Sequence, residues 1–208
     1  MARHENPPFP RGSTFYNGGT IDTNNLGGVN LEGSVHEFED VDLSAGTGAK
    51  PNRTNFPVKC MIVRNVAAAA ILPKRLVKLK KTAGYYLLGQ VDGYGTITAD
   101  APVFPVDEWL PAAGCPVNDL CYIVVEGAAT VLTDLAGGAN NVFSVGDILV
   151  ALTAATSGAT TAGRAKPQDL TGATAVLGAE INGAVGRALS AKTTAQTNGD
   201  LLIAVTTW

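Results

Sequence analysis

The chain has 208 residues, of which 46% are hydrophobic and only 16% charged, with a formal net charge of −3. That near-neutral balance argues against a general nucleic-acid binder. A charged share well under the usual quarter or so, with 24 glycines, suits short strands and turns rather than a helical bundle.

Residues 1–57 open the chain as an arm. Twenty of these 57 residues are Gly, Pro or Asn, and the apolar ones follow neither a strand nor a helix period. Yet Phe9, Phe15, Tyr16, Phe38 and Phe56 are present, which a purely solvated linker does not need. The expectation is an extended arm whose rings dock on its own body or on a neighbour. At about 3.3 Å per residue its full reach is on the order of 190 Å. The opening "MARHENPPFPRG" carries no apolar leader core.

From Val58 a β-rich body, 58–208, is expected. "VKCMIVRNV" reads as a strand. "AAAAILP" favours helix until Pro73 stops it. "RLVKLKK" alternates as a half-buried or edge strand. "YYLLGQV" and "GTITAD" flank Asp92-Gly93, a strong turn dipeptide. Residues 101–119, punctuated by four prolines, read as a loop carrying Trp109. "LCYIVVEGAATVLTD" reads as a hairpin turning at Glu126-Gly127. "FSVGDILVAL" places a Gly-Asp turn before a strand, and 153–172 reads as a surface loop. "AVGRALSA" and "DLLIAVTTW" close the chain as paired strands, with Trp208 as a packing plug in the core or at a subunit interface. The fold class expected is all-β, a small β-barrel or β-sandwich body with an extended N-terminal arm.

Charge is polarised along the chain: residues 58–81 hold seven basic and no acidic groups. The stretch Lys74, Arg75, Lys78, Lys80 and Lys81 fits an edge strand guarded by lysine, or a patch for an acidic partner surface. Nucleic acid fits less well, because no aromatic is interleaved with the charges.

Sites for chemistry are sparse. Both histidines, His4 and His36, fall in the arm, so the body has none for a Ser-His-Asp, Cys-His or His-ligated metal site. "SAGTGAKPN" fails as a phosphate loop, since Pro51 follows Lys50 where Ser or Thr must open a helix. The carboxylates Glu37, Glu39, Asp40 and Asp42, and the neighbours Asp107 and Glu108, read as solvated charge on loops. Cys60, Cys115 and Cys121 have neither metal nor disulfide-framework spacing and read as buried thiols. No run approaches the roughly 20 apolar residues of a membrane helix. The expectation is a soluble, non-enzymatic protein made in a reducing cytosol, with no catalytic residues, metal or cofactor.

Four stretches carry a family resemblance. "IVRNVAAAAILPKRLVKLK", "VNDLCYIVVEGAATVLTD", "FSVGDILVALTAATSGATTAGRA" and "AVGRALSAKTTAQTNGDLLIAVTTW" follow one another as in tailed-bacteriophage capsid decoration (cement) proteins. The resemblance covers about Val58 to Trp208, and "GRALSAKTTAQT" is its most specific part. It implies a β-rich, often trimeric module on the outer surface of an icosahedral head, made in the host cytoplasm, that clamps neighbouring major capsid subunits without catalysis. On that reading the partners are the major capsid protein and further copies of the chain, with no nucleic acid and no membrane. Phe9, Phe15, Tyr16 and Phe38 are then arm anchors on the capsid or a neighbour, and Trp109 and Trp208 packing or trimer-interface residues. The competing reading is a head fibre or surface adhesin that binds host glycans through Trp109 and the 153–172 loop. A major capsid protein would want a long spine helix, which the pattern does not offer.

Overall fold

The computed structural model describes residues 7–15, 31–45, 48, 51–83, 85–96, 102–133, 142–152, 163–168, 184–193 and 199–206. Ten strands form in chain order: β1 (Val35–Phe38), β2 (Val58–Asn65), β3 (Leu76–Thr82), β4 (Tyr85–Tyr94), β5 (Val103–Pro105), β6 (Leu120–Leu132), β7 (Ile148–Ala151), β8 (Ala165–Pro167), β9 (Ala184–Ala188) and β10 (Asp200–Val205). The fold is all-β, and among the described residues no helix is long and apolar enough to cross a membrane.

The strands make one sheet in the order β5-β3-β4-β2-β6-β10-β9-β7-β8, with β1 paired to β2 off this path. It is not a closed barrel. Val106 bridges Ile123, and Thr133 bridges Ala165, so both ends of the path curl back to β6. Single bridges rather than ladders join them there.

β2 and β6 are the spine because both faces of each are apolar. Val58, Cys60 and Ile62 of β2, with Leu120, Tyr122 and Val124 of β6, lie in one core. Met61 and Val63, with Cys121 and Ile123, lie in a second core on the other face. Two-sided burial explains why "CMIV" in β2 and "LCYIVV" in β6 read as unbroken apolar runs.

Glu126-Gly127, expected to turn the chain, instead sits inside a single 13-residue strand. Lys59 pairs with Glu126 but Cys60 pairs with Val124, which leaves Val125 as the extra residue of a β-bulge. The bulge shifts the alternation by one, so that Ala129 and Val131 join Leu120, Tyr122 and Val124 in the first core. Gly127 takes φ +99°, which serves a bulge as readily as a turn. Asp92-Gly93 likewise lies within β4 at a register shift rather than at a hairpin tip. The β3–β4 reversal falls between Thr82 and its partner Tyr85.

The last two strands pair as expected, Ile203–Val205 against Ala188–Gly186, and β10 is an internal stave between β6 and β9. Trp208 lies outside the described residues.

Candidate functional site

The arm is, over its described residues, laid on the body. β1 adds to β2, and Phe15 bridges Leu120 through both its N–H and its C=O, at 3.0 and 2.9 Å. Tyr122 is the anvil. Phe9 packs 4.6 Å from its ring and Phe38 meets it edge-on at 5.1 Å, while Phe15 stacks on Phe9 at 5.8 Å. The Tyr122 hydroxyl donates to the Phe9 carbonyl at 2.9 Å. Such ring pairs contribute about 0.5–1.5 kcal/mol each beyond area burial. Phe9, Phe15 and Phe38 are therefore engaged with the chain's own core, Phe9 being only 7% exposed. Tyr16 lies outside the described residues.

Beside Tyr122 lies a buried charge cluster that the sequence reading placed in solvent. Arg11 binds Asp107 Oδ1 through Nε and Nη2, at 3.2 and 3.0 Å. The Gly12 amide donates to Asp107 Oδ2 at 2.7 Å. Arg53 forks between two carboxylates, reaching Asp40 Oδ1 at 2.7 Å and both Glu108 oxygens at 2.6 and 2.7 Å. Thr54 donates to Asp40 at 2.7 Å, and the Arg53 guanidinium also lies 5.6 Å from the centre of the Trp109 ring. Asp40 and Asp107 side chains are 0% exposed. Asp107 and Glu108 thus belong to a buried loop stacked under the arm. Gly12 adopts φ +81° with the Trp109 backbone where a Cβ would sit, which is how the arm gets close enough for the amide bond.

Two guanidinium groups face three carboxylates here, so one negative charge is in excess. Burial pushes the Asp107 carboxyl up, opposed by Arg11 and the amides of Gly12 and Trp109. Arg53 is held above its ordinary value by Glu108 and Asp40 against the opposing effect of burial. Every carboxylate is bonded to an arginine, so the geometry is that of a fastening: the cluster ties residues 11 and 12, 40, 53 and 54 to 107 and 108.

Near the C-terminal end of β2, Arg64 pairs with Glu32 and donates to the Asn118 carbonyl. His36 is buried and shares a hydrogen bond with Ser34 Oγ at 3.1 Å. Among the described residues no group of three His, Cys, Asp or Glu is placed to hold a metal ion.

The basic stretch is divided by the fold. β3 is not an edge strand, since β4 and β5 flank it. Arg75 is buried, and burial lowers its pKa against the pull of Tyr94. Lys74 pairs with Asp200 at 2.7 Å. Lys78 sits 3.7 Å from Asp92. Lys80 and Lys81 continue past the reach of β5, which pairs only with Leu76–Lys78, so the positive charge that faces outward is concentrated towards the β3–β4 tip. At the foot of β1 a cleft of about 420 Å³ is lined by Glu37, Phe38, Glu39, Asp40, Thr54 and Phe56, among others. Phe56 is 73% exposed there.

No family model and no curated protein matches this chain. Among solved structures, the chain is similar to one from the capsid of Myoviridae phage XM1, at 16% identity and a TM-score of 0.41, covering 88% of this chain and 96% of that one.

Cys60 lies under this cluster, and burial drives its thiol from 9.0 up to about 12. Over that interval the unfolded chain releases a proton that the folded chain keeps. The stabilisation is complete below 9.0 and is lost as pH rises towards 12. Urea midpoints measured at stepped alkaline pH are expected to fall through this window. Cys60→Ala is expected to flatten that fall without abolishing it, because Tyr122 and Cys121 are shifted in the same direction.

Proposed function

We propose that the chain is a structural protein of a tailed-phage virion, a decoration module that binds the outer surface of the icosahedral head and holds neighbouring major capsid subunits together. The observation that carries this reading is the order of the four sequence stretches that resemble cement proteins. Each contributes strands to one sheet: β2 and β3 from the first, β6 from the second, β7 from the third, β9 and β10 from the last. Their partner is the assembled shell. A module that binds only the assembled shell stabilises it by mass action, and many copies on one particle add avidity. Self-association into a trimer belongs to the same proposal and is checked by sedimentation of the isolated protein.

The arm's part in this proposal changes. Phe9, Phe15 and Phe38 hold the chain's own fold, so anchoring on a neighbour would require breaking the Arg11–Asp107 pair. The contact surface proposed instead is the pair Lys80 and Lys81 towards the β3–β4 tip, facing an acidic capsid surface. Lys80→Glu with Lys81→Glu is expected to abolish binding to expanded, protein-free heads while the chain stays folded, and wild-type binding is expected to weaken with salt. Salt-independent binding by wild type, undiminished in the double variant, would remove this contact. Electron microscopy and heat-driven DNA release from particles with and without the protein test the wider reading, which fails if neither density nor release temperature changes. In the glycan-binding alternative Trp109 would have to bind with the Arg53 guanidinium already 5.6 Å from its ring centre, and residues 153–162 and 169–172 of its loop lie outside the described residues.

A further inference from the structure

Cys115 and Cys121 are both fully buried and carry no disulfide. They belong to the same core, on the face of β6 away from Cys60. The chain between them, Pro116 to Leu120, is wrapped around one side chain. Asn65 Nδ2 donates to the carbonyls of Cys115 and Pro116 at 2.9 and 3.1 Å. The Asn65 amide donates to the Asp119 carbonyl, and Asn118 returns a bond to the Asn65 carbonyl. That clamp folds the loop back on itself, so that the Cys115 thiol reaches the Asp119 carbonyl at 3.5 Å, two residues short of Cys121 in the chain, and the neighbouring Cys115 thiol together with burial pushes the Cys121 thiol up. The surrounding loop is open to solvent: Pro111, Ala112, Ala113, Pro116 and Val117 are exposed. Cys115 is thus one residue beneath the surface, held there by its two backbone bonds to Ile71 at 3.0 and 2.8 Å.

We propose that Cys115 and Cys121 are a dithiol that closes to an intrachain disulfide when the protein leaves a reducing compartment. The oxidant class is a low-molecular-weight disulfide. Local opening of the 111–118 loop exposes Cys115, whose thiolate attacks the oxidant, forming a mixed disulfide and releasing one thiolate. Re-closure returns this sulfur to Cys121, whose thiolate displaces the second small thiol. One protein S–S bond forms and the oxidant's S–S bond breaks, and the two protein thiol protons end on the two released thiols. Cys60, under Arg11 in the other core, takes no part. The finished bond staples the loop that Asn65 orders and reduces the entropy of the unfolded chain.

The test uses the full chain incubated with oxidised glutathione under native conditions, then unfolded and alkylated for mass spectrometry. The three thiols are expected to fall to one, mapped to Cys60, with a Cys115–Cys121 cross-linked peptide and no retained glutathione. The melting temperature should rise by roughly 5 °C, reversibly with reductant. Neither Cys115→Ala nor Cys121→Ala should show that rise. Three alkylatable thiols after prolonged incubation, a persistent glutathione adduct, or loss of Cys60 in place of this pair would each overturn the proposal. The mass readout is taken on the wild-type chain, so it stands even if a variant folds poorly.

Discussion

Replacing Asp107 with alanine is expected to destabilise the protein by about 3–5 kcal/mol, the range found when one partner of a buried ion pair is removed. The size follows from what is left behind. Arg11 remains buried with Glu108 at 3.8 Å as its nearest carboxylate, itself committed to Arg53. The Gly12 amide loses its acceptor. For a chain of this size the melting temperature is expected to drop by on the order of 10 °C. The lesion is also expected to be local at first: hydrogen exchange should rise in residues 7–15, which these bonds fasten, before it rises in β10. Joint replacement by apolar residues, Arg11→Met with Asp107→Leu, is expected to recover much of the loss, because it removes both charges rather than stranding one. Differential scanning calorimetry of the two variants beside wild type reads this directly. A single variant within about 1 kcal/mol of wild type would mean that the pair is not desolvated as the geometry implies.

This cluster also marks where sequence reading stopped. Strand identity was legible because it is written in local composition: β2, β3, β7, β9 and β10 each stand where an apolar alternation or run stands. The pairing of β9 with β10, and the internal place of the last strand, followed from their adjacency. The charge cluster had no local signature. Arg11 and Asp107 are 96 positions apart, and Arg53 and Glu108 are 55 apart. A carboxylate on a proline-rich loop looks solvated until a guanidinium from a distant segment is folded over it. The one available hint was the arm's content of aromatic residues. It pointed to docking without naming the surface, and the surface proved to be Tyr122 of the same chain. The basic stretch misled in the opposite way. Its alternation was real, but whether β3 lies at an edge depends on β5, a three-residue strand inside a segment whose prolines suggested a loop.

Gly127→Val is expected to destabilise the body by about 4 kcal/mol or more, from the sum of backbone strain and overpacking. A Cβ at Gly127 would lie 2.6 Å from the Pro57 carbonyl oxygen and 3.0 Å from Val58 Cα. Both are backbone atoms at the start of β2, where Val58 is fully buried and paired to Phe38, so they have nowhere to move. The φ of +99° adds strain that no β-branched residue relieves. Removing the bulge would avoid the clash, at a larger cost. Without it, residues 128–132 exchange faces, Ala129 and Val131 leave the first core, and the ladder from Asp200–Val205 to Leu132–Gly127 loses its register. A dipeptide that looks like a turn is in this way the hinge between the two halves of the sheet, with β2 on one side of it and β10 on the other. Chemical denaturation should show the loss. Glu126→Gln, one residue away, removes only the half-exposed pair with Lys59 and is expected to leave the midpoint where it is. If the two variants melt alike, the bulge is not what sets the register of β6.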